Sequence, residues 1–261
     1  MALSAKPTSY SVNTGHAKCP DHLYMLDDAT GATNCNDGVG SLDLTADATS
    51  MWNTDATYGQ ILRFVAASNQ KALSAAAFAA SSGLCMVFIA RSASATNPGV
   101  NQYLGGPGST AAGIYGGPRL DATTGYLTGV VDTGGASNVR TISVDYYDSS
   151  WHLFALKSND STASDGMTSL SIDGGSWSNN AGTGDQDLAQ YNRIALGCTP
   201  QQTPNSFLDG DILAAFVYLD DYATWNNAWI ASLYSDPWQF LTTTTTIFPQ
   251  YGRRANTLLR M

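Results

Sequence analysis

The chain has 261 residues, of which 43% are hydrophobic and only 13% charged, with a net charge of −9. That is enough apolar material for a sizeable core, so disorder is not expected, and the acidic balance argues against binding nucleic-acid phosphates. All 21 acidic residues are aspartates, so no mechanism that needs a glutamate is open to it.

Residues 1–18 are polar and read as an N-terminal arm. They lack the apolar stretch of a secretory signal, and no later run reaches the ~18 apolar residues of a membrane span. Synthesis and folding in a cytosol are therefore expected, with Cys19, Cys35, Cys85 and Cys198 as thiols. Their spacing matches no zinc pattern. Cys85 and Cys198 read as core, and Cys19 and Cys35 would pair only if oxidised.

Strands are expected over 23–26, then more weakly over 38–44 after an Asn-Asp-Gly turn, and over 58–65, where Leu62 and Phe64 share a face. Residues 72–82 are Ala-rich and fit helix or coil. A buried strand follows over 84–91. Residues 92–118, rich in Gly, Pro, Asn and Ser, read as long loops with one short strand at 113–115. Further strands are expected over 126–131, 139–147 and 151–157, and over 167–173, which closes on the hairpin signal Asp173-Gly174-Gly175. Trp151 reads as a core residue sealing the space between two sheets.

A strand over 192–197 precedes the most telling stretch, 205–241. Asp209-Gly210-Asp211 reads as a turn and 212–219 as an apolar strand. Residues 223–234 form an amphipathic helix with Trp225, Ala228, Trp229 and Leu233 on one face, Thr224 as N-cap and Pro237 just past its end. That helix is expected to cover an open sheet end. About ten short strands at near-regular spacing, with one late helix, point to an all-β sandwich as a domain over 19–241. The tail, 242–261, begins with a threonine run able to extend as a strand. It then carries Phe248, Tyr251, Arg253, Arg254, Leu258 and Arg260 with no aspartate. A solvated tail and a docking tail on an acidic neighbour are both open.

Four pieces of the chain together resemble a known family. They are His22 to Asp28 with Gly31; Tyr58-Gly59-Gln60-Ile61-Leu62-Arg63-Phe64; Trp151-His152-Leu153-Phe154-Ala155 followed by Leu170-Ser171-Ile172-Asp173-Gly174; and Phe207 to Gly210, followed by a strand and a helix ending Leu233-Tyr234-Ser235-Asp236-Pro237-Trp238. In this order they resemble the concanavalin A-like jelly rolls, and among them the laminin-G-like domains of the bacterial and tailed-phage type. The resemblance implies a two-sheet antiparallel jelly-roll sandwich with one short C-terminal helix. It further implies a virion component, a capsid decoration or head or tail fibre protein made in the host cytoplasm, whose partners are itself and other virion proteins.

Three functions are open to such a sandwich. Glucanases of this fold use glutamates, which are absent here, and there is no G-x-S-x-G. His152 reads as structural, and no catalytic residue is assigned, so no enzyme is expected. A carbohydrate-binding module is the second reading. Asn97, Asn101, Gln102, Tyr103 and Tyr115 in one loop set, and Trp177, Asn179, Asn180, Asp185 and Asp187 in another, offer aromatic faces and hydrogen bonders, although both sets also suit ordinary loop surface. Calcium could use Asp27, Asp28, Asp209 or Asp211, but no calcium-loop motif is present and no metal site is predicted. The third and preferred reading is a structural particle component that assembles through the tail residues Phe248, Tyr251, Arg253, Arg254, Leu258 and Arg260.

Overall fold

A computed structural model describes residues 3–75, 78–80, 82–111, 113–133, 137–160, 166–181 and 186–243. The protein is an antiparallel jelly-roll sandwich with one short C-terminal helix, the architecture expected from the sequence.

An eight-stranded sheet is built around the central strand Gly210–Tyr218. One edge of the central strand pairs with Gly83–Ser92, and beyond that lie His152–Asn159, Met167–Ile172 and Ser178–Ala181. Its other edge is shared: His22–Tyr24 pairs with one end and Gly59–Phe64 with the other, with Trp52–Asp55 outermost. Facing it is a nine-stranded sheet running from Ser137–Asp145 through Tyr126–Thr133, Ile114–Leu120, Gly105–Gly108, Arg193–Leu196, Ala72–Ser74 and Leu44–Ala46 to Asn34–Cys35, with Gln102–Tyr103 paired to Ile114–Leu120.

The apolar side chains form two clusters, one on each face of the eight-stranded sheet. Successive side chains of a strand point to opposite faces. On Gly83–Ser92, Leu84, Met86, Phe88 and Ala90 therefore enter the space between the sheets, while Cys85, Val87 and Ile89 point outward. The central strand does the same, with Ile212, Ala215 and Val217 inward and Phe216 and Tyr218 outward. Its register shifts between Ile212 and Ala214, a bulge that puts the consecutive Leu213 and Ala214 on the outer face.

The outer face is buried because the helix Asn227–Ser235 lies across it, presenting Trp229, Ile230 and Leu233, followed by Trp238 and Phe240. Leu3 joins this cluster, and Tyr10–Val12 pairs with Leu241–Thr243. The helix thus covers a sheet face rather than a sheet end. It is also shorter than expected. Asn226, not Thr224, is its N-cap, its side chain accepting from the Trp229 amide at 3.0 Å. Trp225 is buried ahead of the helix and Ala228 is exposed, so the buried stripe runs through Ile230 instead. Pro237 follows the helix end as expected.

Lys157 anchors this layer. Its ammonium is buried, donates to the Trp225 and Tyr222 carbonyls at 2.7 and 3.2 Å, and lies 3.8 Å from the Tyr222 ring centroid.

Other segments depart from what their sequence suggests. Residues 38–43 are a loop and only Leu44 is in a strand, because the buried Asp37 carboxylate captures the amides of Val39, Gly40 and Leu42 that a strand would have used, and that of Leu23 besides. Asp37 also pairs with His22 at 2.7 Å. Although burial opposes ionisation, the His22 and amide hydrogen bonds hold its pKa down at about 2. Residues 72–74 form a strand, neither helix nor coil. The presumed loops 92–118 contain Gln102–Tyr103, Gly105–Gly108 and Ile114–Leu120. Gly106, at φ +156°, and Gly117, at φ +142°, let two strand backbones approach so closely that a Cβ on either would strike the facing carbonyl. Asp173 and Gly174 take φ of +48° and +72°, the hairpin turn anticipated. All four cysteines are free.

Candidate functional site

Gly210 and Asp211 begin the central strand; they are not part of a turn. Gly210 lies against the Arg91 carbonyl, where a side chain would not fit. Asp211 is buried and side by side with Arg63 and Arg91 on the two neighbouring strands. Its carboxylate takes a two-pronged contact from Arg63, Nε at 2.7 Å and Nη2 at 2.9 Å, and another from Arg91, Nε at 2.8 Å and Nη2 at 2.7 Å. Arg91 extends its remaining Nη1 to Asp55 at 3.1 Å. The Arg63 fork matches the two carboxylate oxygens, while Arg91 aims both nitrogens at Oδ2 and is held in its plane by Asp55 as well. The hydrogen bond to Asp211 raises the Arg63 pKa further.

Below this group, the Arg91 guanidinium lies 4.5 Å from the Trp151 ring centroid, and Tyr58 meets Trp151 edge-on at 5.8 Å. Trp151 is therefore on the outer face of the sheet, not between the sheets. It has the parity of Leu153, while His152 and Phe154 turn inward and pack together at 5.6 Å.

A hollow of about 240 Å³ opens over the arginines, lined by Arg63, Arg91, Asp209, Asp211, Ser92 and Ser149. Next to it is a shallower one of about 400 Å³, lined by Ala66, Val100, Asn101, Ser206 and Phe207. Both occupy the end of the sandwich where the central strand begins.

The loop carrying Ser149 is held in two ways. The Ser149 amide donates to Ser92 Oγ at 3.3 Å, with Ser149 itself at φ +59°. Just beyond, His152 Nδ1 lies 2.7 Å from Asp173 and Nε2 lies 3.1 Å from Asp148. A neutral imidazole has one N–H, so bonding both carboxylates this way requires the imidazolium. Burial lowers the His152 pKa, but Asp173 and Asp148 outweigh it and leave it raised. His152 thus ties the Ser149 loop to the Asp173 hairpin.

The residues nominated from sequence are largely occupied elsewhere. Gln102 and Tyr103 are buried, and Gln102 accepts from the Asp209 amide. Asn101 accepts from the Ala122 amide at 2.9 Å and Asn97 from the Gly99 amide at 2.9 Å. Tyr115 packs edge-on to Tyr103 at 5.8 Å. In the second set, Trp177 bonds the Asn226 carbonyl, Asn179 accepts from Ser169, and Asp187 caps a 3-10 turn; Asp185 lies outside the described residues.

The four aspartates weighed for calcium do not converge. Asp27 accepts from the Tyr10 hydroxyl, Asp28 from Asn36, and Asp211 is enclosed by arginines. No group of three or more metal-ligating side chains occurs among the described residues. Phe248, Tyr251, Arg253, Arg254, Leu258 and Arg260 lie outside the described residues. Asn101, Asp209 and Asp211 are the nominated side chains that reach the hollows. Arg63 and Arg91 were missed, and an arginine flanked by apolar strand residues (LRF, IAR) was the available signal.

No family model matches the chain, and no curated protein matches it. Solved structures do match in fold. The binding domain of botulinum neurotoxin DC in complex with SialylT is 8% identical, over 87% of this chain and 51% of that one, with a TM-score of 0.58. Trypanosoma rangeli sialidase in complex with sialic acid is 12% identical, over 84% of this chain and 33% of that one, with a TM-score of 0.55. The CBM40 of Ruminococcus gnavus IT-sialidase, bound to α2,3-sialyllactose, is 15% identical over 59% of this chain, with a TM-score of 0.47. The chain thus spans about half of the neurotoxin chain and a third of the trypanosomal sialidase chain. Identities this low establish the sandwich fold and nothing finer.

Proposed function

We propose that this protein is a non-catalytic carbohydrate-binding module whose site is the arginine-lined end of the sandwich. The observation that carries the reading is the pair of guanidiniums locked on buried Asp211 at the floor of an open hollow. Fixed, planar donors beside a carboxylate and a hydroxyl suit a ligand rich in hydroxyl groups, and their rigidity lowers the ordering cost of binding. The fold neighbours support a sugar ligand, since the neurotoxin domain and the trypanosomal sialidase were each solved with a sialylated or sialic acid ligand. Catalysis is disfavoured by chemistry: the buried carboxylate in the hollow is tied to two arginines, leaving Asp209 without a second carboxyl free to share acid and base roles.

The test is a glycan array with the full-length protein and with Arg63→Ala, each with calcium and with a chelator. Binding of one sugar class that persists in chelator and is lost in Arg63→Ala supports the reading. A blank array from folded wild-type protein overturns it.

Assembly as a laminin-G-like particle component of the tailed-phage type, through the tail, is a separate proposal. Leu241–Thr243 pairs with Tyr10–Val12, so the informative deletion removes 244–261. It should leave a folded monomer, and an unchanged oligomer in solution would contradict the docking role.

A further inference from the structure

We propose that the two adjoining hollows form one bipartite site for an uncharged oligosaccharide of at least two sugar units. This rests on the carbohydrate reading above and extends it to ligand class.

The hollows are continuous along the chain. Val65 lines the polar one and Ala66 the shallow one; Asp209 lines the first and Phe207 the second. Their chemistry differs in the way the two faces of a pyranose differ. The polar hollow offers Arg63, Asp209 and Ser149 to hydroxyl groups. The shallow one offers Phe207 and Val100, which is 53% exposed, to a C–H face, with Asn101 and Ser206 at its rim. A single sugar over the arginines leaves the Phe207 platform unused, and a second linked unit covers it.

Charge decides against an acidic sugar. Two guanidiniums, Arg63 and Arg91, stand against three carboxylates, Asp55, Asp209 and Asp211. Asp211 takes both forks and Asp55 takes the third nitrogen of Arg91. A further cation, Lys71, lies 5.9 Å from the Phe207 ring centroid and is itself paired with Asp47 at 2.7 Å. A carboxylate on the ligand would enter a site whose cations are already matched, in a protein of net charge −9. The sialylated ligands of the fold neighbours are therefore not expected here.

The experiment is calorimetric titration of the full-length protein with glucose, galactose and mannose, with maltose, cellobiose, lactose and mannobiose, and with 3′-sialyllactose. The expected result is one neutral disaccharide binding about tenfold tighter than its monosaccharides, with 3′-sialyllactose no tighter than lactose. Phe207→Ala should abolish the disaccharide gain and leave monosaccharide affinity within about twofold, whereas Arg63→Ala should weaken both. Equal affinity for mono- and disaccharide, an undiminished gain in Phe207→Ala, or 3′-sialyllactose binding about tenfold tighter than every neutral sugar overturns the bipartite neutral site while leaving carbohydrate binding intact. Absence of binding to the whole panel and to the array overturns the carbohydrate reading itself.

Discussion

The two sheets of this sandwich solve burial differently. The eight-stranded sheet is covered on both faces, by the other sheet on one side and by the helix, the chain around Trp238 and the N-terminal segment on the other. Its inner strands are therefore continuous apolar runs, LCMVFIA and ILAAFVY, with nearly every residue buried. The nine-stranded sheet contributes to the inter-sheet core but has no apolar cluster of its own outside among the described residues. It alternates, as in Leu44, Thr45 and Ala46, or closes distance with glycines, as in GGPG and IYGGPRL. One sheet is held by side-chain volume and the other leans on backbone proximity.

The largest expected effect follows from that volume. Phe216 is fully buried on the outer face, edge-on to Trp238 at 6.0 Å and to Phe240 at 5.5 Å. Phe216→Ala should cost about 3–5 kcal/mol in denaturant unfolding, a cavity penalty added to lost burial. Val144→Ala, on the free edge of the nine-stranded sheet and 50% exposed, should stay within about 0.5 kcal/mol. Comparable losses at both positions would break the comparison.

Next comes the glycine contact. Gly106→Ala places a methyl group against the Gly116 carbonyl at a φ unsuited to alanine, and should destabilise by at least about 1–3 kcal/mol. Thermal melts of Gly106→Ala beside Gly99→Ala, where nothing lies within 4 Å, separate the crowding from the backbone preference.

The aspartate hub gives a pH signature. The Asp37 pKa falls from the ordinary 3.8 to about 2 on folding, so its contribution is complete above 3.8 and is lost as pH falls toward 2. In Asp37→Asn, the fall in stability across that window should be shallower than in wild type when followed by urea titration.

The smallest effect belongs to His152. Its folded pKa is raised above 6.5, so its stabilisation is present below 6.5 and is lost as pH rises through the folded value. Asp148 is half exposed, so the change should be under about 1 kcal/mol. Amide exchange at 148–151 should quicken above that pH in wild type, and His152→Gln should remove the inflection.

The same contrast explains what was legible in the sequence. Strands over 84–91 and 212–219 could be read because burial on both faces leaves a long apolar run, and 151–157 because Leu153 to Leu156 leave a shorter one. Gly105–Gly108 could not, and Ile114–Leu120 only as a short strand at 113–115, because glycine and proline are the residues that ordinarily mark loops, and here they serve a close approach of two strands. The 38–43 loop was misread because Asp37 captures the amides two, three and five residues further on, a local side-chain competition that leaves no mark on the apolar periodicity. The site was half visible. Asp209 and Asp211 stood out as acidic residues, but their arginine partners lie 120 and 148 positions from Asp211 and meet it only through strand pairing. Nothing in the spacing along the chain announces that ion group.

The central claim is that ligand binds at the end of the sandwich where the central strand begins. The most direct test is backbone amide NMR of the labelled full-length protein titrated with whichever sugar the array identifies. The expected shifts are confined to 63–66, 91–93, 99–101, 148–150 and 206–211, with the Arg63 Nε–H among the most displaced. Shifts centred instead on the 173–179 hairpin or the helix 227–235, with the sandwich end unmoved, would contradict it.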